Sequence, residues 1–194
     1  MFLSLYYFSA FWWIVGDCLG FRRDTGVSPA SGQPYKFTSD LRPEYQDNIL
    51  SYQDQVSCLV RHGFGIWDIV GSCVRPGSLD KDIQNVTANP IQNLAACHPQ
   101  LRRIVISNGE AAARIFYNSF QDWCQSGELR ANDDAISQKA LGKKLKGSDN
   151  SRITVVVAMS PSPAATRPYA DKRDFWEENV FRPGLKNHED LKKM

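Results

Sequence analysis

A chain of 194 residues with 42% apolar and 23% charged side chains is long enough to bury a sizeable core, and its composition excludes a disordered or fibrous segment. A formal charge of +2 does not identify a nucleic-acid binder by itself, because that inference needs Lys and Arg clustered locally. The five cysteines (Cys18, Cys58, Cys73, Cys97 and Cys124) form no C-x-x-C pair and the three histidines are scattered, so the pattern fits buried reduced thiols in an intracellular protein rather than a zinc site or a disulfide framework.

Met1 to Gly16 carries no charge and is crowded with aromatics. Asp17 interrupts the run short of the ~20 apolar residues that a bilayer span needs, and a basic n-region and a small-residue cleavage site are both lacking. A core helix beginning near Ser9 is predicted instead, with Phe11, Trp12, Val15 and Leu19 at helical spacing, Gly20 as its stop and an aromatic face laid on a sheet. Residues 22 to 50 are rich in Gly, Pro, Ser and Asp without periodicity and read as a long surface insertion. From Tyr52 to His62, Val56, Leu59 and Val60 share one helical face, closed by Gly63.

Phe64 to Cys73, FGIWDIVGSC, reads as a strand with a polar loop, RPGSLD, at its carboxyl end. Asp68 within that strand would need a hydrogen-bond or charge partner, in a structural or a catalytic role. Asn89-Pro90 is a helix start, with Asn as cap and Ile91, Leu94 and Ala95 as an apolar stripe. Leu101 to Gly109, LRRIVISNG, is a short buried strand breaking into Ser107-Asn108-Gly109; Asn108 either caps the next helix or serves a site at the strand's carboxyl end. That helix carries Ala112, Ile115, Phe116, Phe120 and Trp123 on one face and stops at Gly127.

Residues 126 to 152 read as a second polar insertion, whose end, KALGKKLKGSDNSR, holds Lys139, Lys143, Lys144, Lys146 and Arg152 against Asp149 alone. It is either a solvated loop or a basic contact surface. Ile153 to Ala165, ITVVVAMSPSPAA, is a run of consecutive β-branched residues suited to a strand covered on both faces. Pro161 and Pro163 end it near Ser160, so Ser160 and Ser162 form either an ordinary turn or one wall of a ligand crevice beyond the sheet. Pro168 starts a last helix running through Trp176 to Phe181. The order predicts a single α/β domain over residues 1–194, a three-layer α/β/α sandwich around a short, mostly parallel sheet.

Taken together, YY followed by FWWIVGDCLGF, then WDIVGSCVRPGSLDKDI, Asn89, HPQLRRIVISNGEAA and SPSPAATRPYADKRDFW resemble the uracil-DNA glycosylase superfamily, in particular its hypoxanthine/uracil DNA glycosylase-like branch. The resemblance covers about Tyr6 to Phe181, the two insertions apart. It implies a monomeric hydrolase, nuclear in a eukaryote, that flips a deaminated base from DNA and cleaves its N-glycosidic bond without metal or cofactor and without a membrane partner. By position, Tyr7 matches the aromatic that stacks on the flipped base and Asn108 the amide that reads the base edge. Ser160, Pro161, Ser162 and Pro163 match the loop that approaches the phosphodiester. Lys172 and Arg173 follow on the next helix, either meeting phosphate or forming a solvated salt-bridged face with Asp171 and Asp174.

Two departures stand beside the match. The family's first strand, ending in a Gly-Ser-x-Pro-Gly-like loop, has no counterpart before Met1, and Ser9 occupies the slot of the family's catalytic Asn. A hydroxyl can hold a water but lacks the amide's second functional group. The expectation is therefore either weakened or lost catalysis, leaving a relative that binds DNA or a protein partner, or a longer natural chain.

Overall fold

A computed structural model describes residues 10–28, 31–77, 83–162 and 165–193. The chain forms two compact units, one made of residues 1–65 and 160–194, the other of residues 66–159. The fold is mixed α/β with a small parallel sheet and surrounding helices.

The first unit is helical. Helix α1 (Phe11–Leu19) forms where predicted, but it buries the consecutive residues Trp12 to Asp17 rather than one face: of the predicted stripe Trp12 and Val15 are buried and Phe11 and Leu19 only partly. It ends at Gly20, whose φ of 87° is the left-handed C-cap conformation that glycine adopts without a Cβ penalty. Within its unit α1 packs on helices rather than on a sheet: Trp12 meets Tyr52 of α2 (Tyr52–Arg61) edge-on at 5.6 Å, and Phe11 meets Trp176 of α7 (Tyr169–Trp176) at 5.7 Å. Helix α2 starts at Ser51, whose Oγ accepts from the Asp54 N–H at 3.2 Å, and buries Cys58 and Leu59, while Val60 faces solvent. Helix α7 continues through a π turn, Glu177–Phe181, into α8 (Arg182–Lys192).

The described residues between α1 and α2 lie largely at the surface, as read, but they are ordered. Two 3-10 turns, Thr38–Asp40 and Pro43–Tyr45, and a parallel bridge between Arg22 and Ile49 order them. Phe37 stacks on Tyr169 at 5.0 Å and stands edge-on to Trp13 at 5.7 Å. Aromatic packing of this kind adds roughly 0.5–1.5 kcal/mol per pair beyond area burial.

The second unit holds the sheet. Strands β3 (Arg103–Ile106), β4 (Leu129–Ala131) and β5 (Ile153–Val157) run parallel in the order β3-β5-β4, with Ile106 opposite Val157 and Ala131 opposite Val155. Every residue of β5 is buried, which is what a central strand flanked on both sides demands of a Val/Ile run. The core joins Ile106, Leu129, Ile153 and Val155 to Ala113 and Phe116 of α4 (Gly109–Ser119) and to Trp123 and Cys124 of α5 (Gln121–Gln125). The single predicted helix is thus two, broken at Phe120.

Two further expectations are corrected here. The strand read from Phe64 to Cys73 is a shorter strand β1 (Val70–Val74), paired antiparallel with β2 (Gln84–Ala88) in a separate two-stranded ribbon. Ile66, Trp67 and Asp68 are exposed, so Asp68 carries no buried charge; only its backbone carbonyl is used, accepting from the Asn89 side-chain amide at 2.8 Å. Helix α3 (Ile91–Cys97) has Pro90 at its N-cap and no side-chain cap hydrogen bond, so Asn89 is not the cap that Asn-Pro predicts and the helix begins one residue later. Residues 126–152 are not a plain polar excursion: they supply β4, a short helix α6 (Ala135–Ser137) and a π turn (Gln138–Gly142) that bury Leu129, Ala140, Leu141 and Leu145. Gly147 brings this segment against β4, donating to the Leu129 carbonyl at 3.0 Å where a Cβ would collide with the same oxygen. The cysteines are free as expected, but only Cys58 and Cys124 are buried; Cys73 and Cys97 are exposed.

Candidate functional site

In the sheet unit the polar break after β3 stands at the carboxyl edge of the parallel strands. The Ala158 N–H, just past β5, donates to the Ile106 carbonyl at 2.9 Å, so the ends of β3 and β5 are held side by side. Asn108 follows two residues later with φ −113° and ψ 32°, ahead of Gly109 at φ 63°. It occupies the N-cap position of α4, yet its side chain makes no cap hydrogen bond and is exposed. An Asn amide offers two N–H donors and a carbonyl oxygen, the set that can pair with a planar base edge, and among the described residues none of these is engaged. The capping alternative is therefore not realised.

In the helical unit the serine-proline loop is fixed from below. The Ser162 N–H donates to Ser160 Oγ at 3.2 Å, and the buried Pro161 gives its carbonyl to the Ala10 N–H at 2.9 Å. Lys172, on α7, is only 4% exposed, and its Nζ donates to the carbonyls of Ser162 at 3.0 Å and Ala165 at 3.1 Å. Burial lowers its pKa from the ordinary lysine value. A buried cation so placed shapes the loop through its two carbonyls. Arg173 is likewise engaged within the unit, donating to Asp174 Oδ1 at 2.9 Å and to the Asp40 carbonyl at 2.6 Å. Tyr7, Ser9 and Pro163 lie outside the described residues.

The same unit contains a buried ionic network that the sequence reading missed. Asp17 is fully buried on α1; its Oδ1 meets Arg22 Nη1 at 2.7 Å and accepts from the Arg42 N–H at 3.2 Å, while its Oδ2 accepts from the Tyr169 hydroxyl at 2.9 Å. Arg42 donates onward to the Asp17 carbonyl at 3.0 Å and pairs with Glu177. Burial, and then the Asp17 charge beside it, drive the Tyr169 hydroxyl far above its ordinary range, so it serves as a neutral donor. The available signal was an Asp inside the apolar run WWIVGDCL, a position that requires a partner. The network ties the Arg22–Ile49 segment and α7 to α1, and α7 carries the lysine that holds the loop.

Comparison with protein-family models, with curated proteins and with solved structures finds no match. Among the described residues no helix is long and apolar enough to cross a membrane.

Proposed function

We propose that the chain is a DNA base-excision glycosylase-like protein of the uracil-DNA glycosylase superfamily, built on its three-layer α/β/α plan. It hydrolyses the N-glycosidic bond of a deaminated base, uracil or hypoxanthine, flipped from DNA, and works inside the cell, in the nucleus of a eukaryote. The observation that carries the reading is the uncommitted amide of Asn108 at the carboxyl edge of a parallel sheet, within an ISNG motif that falls in order among the other pieces of the resemblance. Ligands of open α/β sheets bind beyond that edge.

In this reading Asn108 pairs with the edge of the everted base, and the resemblance gives Tyr7 the stacking role and the Ser160 to Pro163 loop the flanking phosphodiester, with Lys172 holding that loop and Arg173 following it on the same helix. Phosphate contacts position the strand and base contacts read it. The reaction passes the electron pair of the glycosidic bond to the departing base while positive charge develops on the sugar. Water adds at the sugar carbon, and its proton balances the base anion. Fixed amide donors favour the charge on the leaving base. Flipping costs a few kcal/mol, least at a mismatch, which biases the protein toward deaminated pairs. Ser9, in the slot of the family's Asn, would hold the water by its hydroxyl alone.

The test is incubation of the purified chain with duplexes carrying uracil or hypoxanthine, followed by alkaline cleavage of abasic sites. Abasic product from either duplex supports the reading. Salt-sensitive DNA binding without product would replace it with a non-catalytic DNA-binding relative, the reading that Ser9 favours.

A further inference from the structure

The basic run Lys139 to Lys146 is absorbed by neither the loop nor the base-reading edge. In the sheet unit it borders a shallow open groove of about 320 Å³ lined by Glu110, Ala111, Arg114, Lys139, Ala140 and Lys144. One wall is the first half of α4, the helix that opens at Asn108; the other is the π turn Gln138–Gly142 and the residues after it. The groove therefore begins within one helical turn of the amide assigned to the base.

We propose that this groove is a track for the phosphates of a DNA strand flanking the flipped nucleotide, an inference that rests on the DNA reading above. The lysines are displayed from a rigid frame. Ala140, Leu141 and Leu145 are buried beneath them, the Lys146 N–H donates to the Cys124 carbonyl at 3.0 Å, and the Lys144 carbonyl accepts from Gln125 Nε2 at 2.8 Å. Three cations line the groove (Arg114, Lys139 and Lys144), with Lys143 and Lys146 exposed on the adjoining segment, against one carboxylate among the lining residues, Glu110, which is paired with Lys139 at 2.6 Å. Arg114 is exposed and makes no ion pair among the described residues, and Lys144 rests its ammonium over the Tyr117 ring at 5.3 Å. A closed anion cage would bury its donors; here they are spread along an open concave surface, which suits a row of phosphates better than a single one.

The experiment is fluorescence anisotropy of the full chain with undamaged duplex DNA across a salt series. The double variant Arg114→Gln/Lys144→Gln should weaken binding roughly tenfold at low salt and reduce the slope of log K against log salt by about 1.8, at about 0.9 for each phosphate no longer neutralised. Glu110→Gln, which removes the only lining carboxylate, should tighten binding and so provides a second reading of the same groove if the double variant folds poorly. Lys192→Gln/Lys193→Gln, exposed on the helical unit, should change neither quantity. Unchanged affinity and slope in the groove variants, an equal loss in the Lys192/Lys193 control, or no DNA binding by the unmodified chain would overturn the proposal. Excision by the unmodified chain with groove variants that bind normally would leave the glycosylase reading standing without the groove. Groove-dependent binding without excision would do the reverse.

Discussion

Lys172 Nζ donates to the Ser162 carbonyl at 3.0 Å and, from the same ammonium, to the Ala165 carbonyl at 3.1 Å, so the loop after the central strand is shaped by a cation that solvent scarcely reaches. Lys172→Met keeps the apolar stem and leaves two backbone carbonyls without their donor, at a cost of about 1–3 kcal/mol. Thermal melts should show the loss, with Lys172→Gln recovering part of it through its amide donors. Because the lysine acts through the loop, the salt dependence of DNA binding should keep its slope while affinity falls. A slope reduced by about one would mean that Lys172 meets phosphate itself.

Asn108→Ala separates reading a base from holding the strand. The side chain is exposed and makes no cap hydrogen bond, so stability should change by no more than about 0.5 kcal/mol. Base excision should be abolished while affinity for undamaged duplex stays nearly unchanged. An equal loss of excision and of affinity would show that Asn108 holds the strand and does not read the base.

Asp17 anchors the segment that follows α1. Asp17→Ala would leave Arg22 and the Tyr169 hydroxyl buried without their acceptor, and removing one member of a buried pair costs about 3–5 kcal/mol. Urea unfolding should show a lowered midpoint, with Asp17→Asn losing less because its carbonyl oxygen still accepts. A midpoint within experimental error of the unmodified chain would mean that the network contributes no net stability.

What could be read from the residues divides along physical lines. Ile153 to Val157 was legible because a central parallel strand requires consecutive β-branched residues, and Ile104 to Ile106, on the edge strand beside it, because the same short β-branched run ends in a polar Ser-Asn-Gly break. Leu129 to Ala131 was not: a three-residue strand among charged neighbours gives no period, and only its partner β5 makes it one. FGIWDIVGSC misled because Ile66 and Trp67 are exposed and the strand forms only from Val70, in a ribbon whose register shifts twice between Val70 and Val74. Asn108 could be picked out by local pattern. The contacts that order residues 22 to 50 could not, since Arg42 reaches back 25 positions to Asp17 and Phe37 stacks on the distant Tyr169.

Alkaline stability should follow two weak acids of the helical unit, the half-buried Cys18 and the buried Tyr169. Burial, then the Glu177 charge, push the Cys18 thiol above its ordinary 9.0, and burial, then Asp17, push the Tyr169 hydroxyl above its ordinary 10.0. Both protons are retained in the folded chain at pH values where the unfolded chain has released them. The unfolded state then binds fewer protons, so stability is complete below about pH 9 and falls as pH rises, by at most ~1.4 kcal/mol per pH unit for each group. Lys172 opposes the trend: its lowered pKa means that the unfolded chain holds more protons just below the ordinary 10.5, one group against two. Urea midpoints measured between pH 8 and 11 should decline from about pH 9. Cys18→Ala should delay the onset toward the tyrosine's range, and adding Tyr169→Phe should flatten the remainder, at the separate cost of the hydrogen bond to Asp17. A midpoint independent of pH across that window in the unmodified chain would contradict the raised pKa of both groups.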